Sequence, residues 1–339
     1  MNLDREAAHM PDAAIEACRV RIKVIGVGGA GCNAVSHMMD SGLRGVTCIA
    51  ANTDVHALKR SKAECKIQLG PTCCKGMGAG CDPDKGRRAA QESLAKIRSA
   101  IGGTELVFVV AGMGGGTGTG AAPVIAGTAK ASGALTIGAV TKPFFFESRR
   151  RYEIAENGIA ALRQHVDNLI IIHNSRLVQF SHKKMTLNEM FKAADEALHD
   201  AVRCISHDVT RPDRVAVDFA DLRAIFGNGG TSRLGTGTAT GKARAREAAL
   251  QALTCPLLED MDVSQAEGIL MTITASSNRG MAELVEVSEI IESAASEDCK
   301  IFFHNSSVDD SINEAMRITL IVSFPACLKE PVDDDLCRH

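Results

Sequence analysis

Short unbroken apolar runs, rather than alternating ones, mark the first half of the chain. They fall at Arg21–Ile25, Val46–Ala50, Lys66–Leu69, Leu106–Val110, Leu135–Val140 and Leu169–Ile172. Such runs predict strands covered on both faces of a parallel sheet. Helical patterns lie between them. The clearest spans Asp82–Ile101, where Asp82 suits a cap, Pro83 the first turn, and Ala90, Leu94, Ile97 and Ile101 one face. This β-α alternation predicts a doubly wound α/β domain. A long helical pattern follows from Leu187 to Val209 and ends at Arg211-Pro212-Asp213. Beyond it, strand runs at Gly235–Thr240, Gly268–Ala275, Lys300–Phe303 and Arg317–Phe324, with helical runs at Ala243–Thr254 and Met281–Ala295, predict a second, smaller α/β domain. The expected organisation is an N-terminal extension (1–20), a first domain (21–186), a central helix (187–210), a second domain (211–325) and a tail (326–339). Pro331 and three consecutive aspartates make that tail read as disordered.

A length of 339 residues suits two domains. The 38 basic and 41 acidic side chains leave a formal charge of −3, which argues against a general nucleic-acid binder. No apolar run reaches the length of a membrane span; the longest, Met316–Phe324, contains Arg317 and Thr319. Residues 1–20 lack the apolar segment of a secretory signal and are too acidic for a transit peptide, so the expected compartment is the cytoplasm. Among 12 cysteines there is no C-x-x-C pair, and Cys65, Cys73, Cys74 and Cys81 lack zinc-ligand spacing. Reduced thiols and no structural zinc are expected.

The 31 glycines cluster. The first strand runs into Gly26-Val27-Gly28-Gly29-Ala30-Gly31-Cys32-Asn33, which fits the G-x-G-x-x-G fingerprint of dinucleotide binding, and Asp54 stands about 20 residues on, where a ribose-binding acid would sit. Alone, this loop points to NAD. Cys32, at a helix N-terminus, is expected either to carry a lowered thiol pKa and to alkylate readily or to be an inert buried thiol. A second strand, Leu106–Val110, feeds Ala111-Gly112-Met113-Gly114-Gly115-Gly116-Thr117-Gly118-Thr119-Gly120, a glycine density far above what a turn needs. Its successive N–H groups can form an anion nest. A third loop, Gly76-Met77-Gly78-Ala79-Gly80-Cys81, precedes the helix at Asp82. Three such loops predict a ligand with several phosphates. No G-x-x-x-x-G-K-[ST] occurs, which excludes a P-loop enzyme.

The run Gly114-Gly115-Gly116-Thr117-Gly118-Thr119-Gly120 resembles the signature of the tubulin superfamily. With Asn52-Thr53-Asp54, Thr141-Lys142-Pro143-Phe144, Phe146-Glu147, Arg149-Arg150-Arg151 and Val217-Asp218-Phe219-Ala220-Asp221, the chain is similar, over roughly 20–325, to its FtsZ branch of filament-forming cell-division GTPases. The resemblance implies a tubulin-like fold, with 21–186 binding GTP or GDP and 211–325 activating hydrolysis. Gly29, Ala30, Gly31, Cys32, Asn33, Gly114, Gly115, Gly116, Thr117 and Gly118 match the phosphate cradle, and Asn52, Gly80, Thr141 and Pro143 match neighbouring site positions. Glu147 and Arg151 match the ribose and phosphate side. Asn33, Asn174 and Asp195 match guanine-reading positions, and Phe191 the ring packed on the base. Asp218 and Asp221 match the acids that enter the next subunit's site and orient the attacking water; within one chain they read as a capping pair. Mg²⁺ is expected to be held mainly through phosphates and water, with no protein metal ligand assigned. The implied partners are further copies of the chain in head-to-tail filaments, and other division proteins at a mid-cell ring.

Two departures stand out. The family's loop begins Asn-x-Asp-x-x-Asp, whereas this chain has Ala216 in place of the asparagine. Neither a long C-terminal linker nor a docking peptide is recognisable before His339. Both leave open a slow-hydrolysing copolymerising partner beside the self-activating GTPase. A dehydrogenase built on the first loop remains a third reading.

Overall fold

The computed structural model describes residues 20–178, 185–210, 218–258, 261–277, 280–304 and 312–326. Arg211-Pro212-Asp213, Ala216 and residues 327–339 therefore lie outside the described residues, as does the extension up to residue 19. Ten strands form one sheet: β1 Ile22–Val27, β2 Val46–Asn52, β3 Cys65–Gln68, β4 Leu106–Gly112, β5 Leu135–Lys142, β6 Asn168–His173, β7 Gly230–Ala239, β8 Gly268–Ala275, β9 Lys300–His304 and β10 Met316–Phe324. The spatial order is β3-β2-β1-β4-β5-β6-β7-β10-β8-β9. Strands β3 to β7 in this order run parallel, β10 is antiparallel to both its neighbours, and β9 is parallel to β8. The first six reproduce the 3-2-1-4-5-6 order of doubly wound sheets, in which the connections reverse direction between β1 and β4. The two halves thus share one sheet, joined where Asn168–Ile170 of β6 pair with Gly230–Ser232 of β7.

The helices are α1 Gly28–Asp40, α2 Val55–Arg60, α3 Pro83–Glu92, α4 Leu94–Ile101, α5 Thr117–Ala131, α6 Arg149–Arg163, α7 Asn174–Leu177, α8 Leu187–Thr210, α9 Phe219–Phe226, α10 Arg244–Leu253 and α11 Met281–Ala294. They cover both sheet faces and create two cores. Ile22 and Val24 of β1 point into one, with Val35, Met38 and the central helix α8; Ile25 and Val27 point into the other, with α3, α4, α5 and α6. This is the two-residue alternation of a strand buried on both sides. The 24-residue α8 spans about 36 Å at 1.5 Å per residue and buries Ala194, Ala197, Leu198, Ala201, Val202 and Ile205 against both halves.

Most predicted strands appear within a few residues of their expected bounds, but two expectations change. The helix expected over Asp82–Ile101 is two helices. Ser93 breaks it: its hydroxyl donates to Gln68 O (3.3 Å) and accepts from Gly70 N–H (3.0 Å). A serine committed to another chain segment competes with helix continuation. Strand β7 begins at Gly230, not Gly235. Its early residues are Gly, Thr, Ser and Arg, which carry no apolar signal. Close helix approach fixes the later glycines: a Cβ at Gly235 would stand 2.5 Å from Ala252 O of α10.

Candidate nucleotide site

The carboxyl ends of β1 and β4, at the point where the winding reverses, are where a doubly wound sheet opens a crevice. A cavity of about 510 Å³ lies there. The N-termini of α1 and α5 both face it. Gly29, Ala30 and Asn33 line it from α1, and Gly112, Met113, Gly115, Gly116, Thr117 and Gly118 from the β4–α5 loop. Two helix N-termini bring unpaired N–H groups and the positive ends of two dipoles to one space. The glycine loops touch: a Cβ on Gly28, at φ +75°, would lie 2.7 Å from Gly118 N. Thr53 and Thr117 share a hydroxyl–hydroxyl hydrogen bond of 2.6 Å, which ties the second loop to the end of β2.

Two glycines differ from the rest. Gly29 and Gly115 have no atom within 4 Å of the position a Cβ would take, and neither has a left-handed φ. Nothing inside the protein requires glycine there, yet both line the cavity. A backbone left bare at a cavity wall leaves room for a ligand to lie directly on it.

Other segments complete the wall. Thr141 and Pro143 line it at the end of β5. Glu147 accepts from Phe144 N–H (3.0 Å) and pairs with Arg151 at 2.5 Å, which fixes a carboxylate and a guanidinium side by side. Asn174 is buried, and its Oδ1 has no hydrogen-bond partner while lining the cavity. A buried acceptor left open costs stability unless a ligand satisfies it. Phe191 is 42% exposed, with its ring edge-on to Phe144 at 5.3 Å. One helical turn later on α8, Asp195 faces the same space, and burial pushes its pKa up to about 6, against the pull of His37.

The structure separates the other expected site residues from this cavity wall. Gly31 is a packing position, because a Cβ there would run into Val110 O. Cys32 is buried under α1, with its Sγ directed at Gly26 O, Ala51 O and the Asn52 amide. Burial drives its pKa up to about 12, which favours the buried thiol over the reactive one: desolvation outweighs the helix dipole. Asn52 is likewise buried and accepts from Asp54 N–H (3.2 Å). Gly114, at φ +97°, packs on Arg151 O and donates its N–H to Thr119 Oγ1 (3.0 Å). Gly80 is exposed at φ +65°, while its neighbour Cys81 does line the cavity. Asp54 caps α2 by accepting from His56 and Ala57 N–H groups, so it is not free to hold a ribose as the NAD reading required. The sequence reading missed Lys142, Ala194 and Leu198 as wall residues. Lys142 stands inside the quoted Thr-Lys-Pro run, and Leu198 follows one turn after Asp195.

Asp218 and Asp221 are far from the cavity. They form a reciprocal cap on α9, where Asp218 Oδ1 accepts from Asp221 N–H (2.8 Å) and Asp221 Oδ2 from Asp218 N–H (3.1 Å). Arg223 of the same helix donates to Gly133 O (3.3 Å), just before β5 begins. The cavity touches β5 at its other end, so the eight residues of this strand, about 25 Å, separate the acids from the site. A larger cavity, about 710 Å³, opens between α3, α5 and α6, but it includes none of Gly29, Gly115 or Asp195.

Residues 21–182 match the tubulin/FtsZ family GTPase domain, and residues 230–324 the FtsZ family C-terminal domain. Over 303 residues the chain is 46% identical to the cell division protein FtsZ of Coxiella burnetii, covering 89% of this chain and 78% of that protein. An empty FtsZ dimer from M. jannaschii is similar at a TM-score of 0.87 and 34% identity, covering 95% of this chain and 98% of that one. The GDP-bound monomer of CetZ1 from Haloferax volcanii shares the fold at a TM-score of 0.76 and 20% identity, covering 94% of this chain and 98% of that one. The matched segments carry the glycine loops in one half and the antiparallel end of the shared sheet in the other, and on this likeness the chain belongs to the tubulin/FtsZ family.

Proposed function

We propose that this protein is a cytoskeletal GTPase of cell division that assembles head to tail, each active site being completed by the next subunit. Family membership supports the GTPase and division role. One observation carries the shared site: the acids matched to catalysis lie at the opposite pole of the subunit from the cavity. The eight residues of β5, about 25 Å, lie between the end that Arg223 of α9 contacts and the end at the cavity, more than a side chain spans within its own chain. The acids can reach a phosphate only in a neighbour stacked pole to pole, a heterologous contact that propagates as a filament. Phe145, Phe146 and Met77 are exposed to solvent, apolar surface suited to such a contact.

In this reading the two glycine loops hold the phosphates through backbone N–H groups. Phe191 packs on the base. Asp195, ionised, accepts from guanine N1–H and the exocyclic amine, a donor pair adenine lacks. Asn33 and Asn174 complete base recognition, and Glu147 with Arg151 hold the ribose and phosphate side. Asp218 and Asp221 of the neighbour orient the water for attack on the γ-phosphate, a reaction that asks mainly for positioning and charge stabilisation. Of the carboxylates of the cavity wall, Glu147 is already paired with Arg151 and Asp195 is assigned to the base. Mg²⁺ would thus be held through phosphate oxygens and water, neutralising charge on the phosphates. No helix of the described residues is long and apolar enough to cross a membrane. We place the protein in the cytoplasm, at the mid-cell division ring with other division proteins.

GTP turnover per subunit, measured against protein concentration, tests the reading. A steep rise with concentration is expected. Constant turnover per subunit at all concentrations contradicts it, and tight GTP binding with near-zero turnover throughout would instead mark the slow copolymerising partner.

A further inference from the structure

Outside the nucleotide cavity, the most unusual cluster lies on α8, where Glu196 and His199 meet His37 of α1 and Asp200 lies toward Thr272 of β8 and Thr319 of β10. We propose that Glu196, His199 and Asp200 bind a divalent transition cation of the zinc class. These residues stand at i, i+3 and i+4, one helical face. One ligand atom from each lies within 4.8 Å of the others. His199 is buried, its side chain 5% exposed, and neither ring nitrogen makes a hydrogen bond. Its Nδ1 stands 3.9 Å from Glu196 Oε1, too far for one. Asp200 is also buried, and its Oδ1 has no hydrogen-bond partner, with Arg203 Nη2 held off at 4.0 Å. Three unsatisfied polar atoms on neighbouring buried residues are costly unless something joins them.

The chemistry of the set selects what that is. One imidazole and two carboxylates suit zinc or cobalt, and the two negative charges offset the ion's own. The outer partner is already in place. His37 of α1 meets Glu196 Oε2 at 2.7 Å and leaves Oε1 on the His199 side. Such a contact to a ligating carboxylate fixes its orientation. The opposing groups are Arg203 of α8 and Arg317 of β10, whose charges act on Asp200. A cation must displace the influence of Arg203, which is not hydrogen-bonded to the carboxylate. Binding would pin α1 to α8. These helices carry Asn33 on one side of the nucleotide cavity and Phe191 and Asp195 on the other.

The test uses nucleotide-free full-length protein and Co²⁺ as the probe, with Zn²⁺ as competitor. One equivalent of Co²⁺ should bind, giving visible d–d absorption without the intense near-ultraviolet band of thiolate ligation, and Zn²⁺ should displace it. His199→Ala and Asp200→Asn should weaken binding about ten-fold or more. Zn²⁺ should raise the melting temperature of the unaltered protein. Glu196→Gln keeps the volume of a half-exposed side chain, so it serves if the buried variants unfold; it should abolish the Zn²⁺-induced rise in melting temperature. No stoichiometric Co²⁺ binding, a thiolate band, or undiminished binding in the folded variants would overturn the proposal.

Discussion

Replacing Gly29 or Gly115 by alanine should move stability and GTP affinity in opposite directions. At both positions the space for a Cβ is open and φ is not left-handed. Alanine therefore adds no clash within the protein and restricts the unfolded chain, which typically stabilises by about 0.4–1 kcal/mol. Gly29 lies in the first turn of α1, where alanine's helix propensity acts in the same direction. The new methyl projects into the cavity where the backbone would cradle a phosphate. Losing one hydrogen bond to a charged group costs about 1.5–3 kcal/mol, which is roughly 10- to 150-fold in dissociation constant. Gly118→Ala is the contrast, since its Cβ would meet Gly112 O at 2.6 Å, and the apo protein itself should be destabilised. Thermal melts of apo protein and fluorescent-GTP titrations read the two quantities separately. Unchanged GTP affinity in both Gly29→Ala and Gly115→Ala, or a loss of apo stability matching that of Gly118→Ala, would refute the cradle.

The raised pKa of Asp195, about 6, makes GTP affinity fall as pH drops through that value, because the protonated carboxyl no longer accepts two donors. Asp195→Asn should bind GTP weakly and flatten the pH profile; titrations between pH 5 and 8 by calorimetry check it. For the apo protein the sign reverses: the folded carboxyl holds its proton more tightly than the unfolded one, so this group's contribution to stability rises as pH falls from about 6 to about 4. Cys32, buried and with its pKa near 12, should resist alkylation in folded protein with or without GTP, as peptide mass spectrometry can read; rapid modification of apo protein would contradict its burial. Asp218→Ala removes a cap as well as the proposed catalytic acid, so it should cost about 1 kcal/mol of stability together with turnover. Turnover retained alongside that loss would reduce Asp218 to a cap.

The parts of the molecule governed by local chemistry were readable in the chain. Strand β8 runs over the expected Gly268–Ala275 because an unbroken apolar run between breakers leaves little choice. The first glycine loop declared itself by its G-x-G-x-x-G spacing and the second by its density. What escaped depends on contacts between distant segments. Ser93 splits a helix only because its hydroxyl finds β3 and the loop after it. Cys32 looks reactive beside a helix N-terminus, but Gly26 of β1, Ala51 of β2 and the Asn52 amide enclose it. The cap role of Asp218 and Asp221 was legible, but their distance from the cavity needed the strand order and the direction of β5. Glu196, His199 and Asp200 passed unnoticed as a polar helix face, since only packing of α8 against other segments buries His199 and Asp200.

The central claim, that one active site is built from two subunits, is tested most directly by mixing inactive variants. Gly116→Trp fills the cavity and should abolish GTP binding while leaving Asp218 and Asp221 intact. Asp221→Ala should bind GTP near normally and fail in turnover. Each alone should be inactive. Mixed in equal amounts, some contacts pair an intact cavity with an intact acid pair, and GTP hydrolysis should reappear. A mixture as inactive as its two components, at concentrations where co-sedimentation shows that both variants enter one polymer, would contradict the shared site.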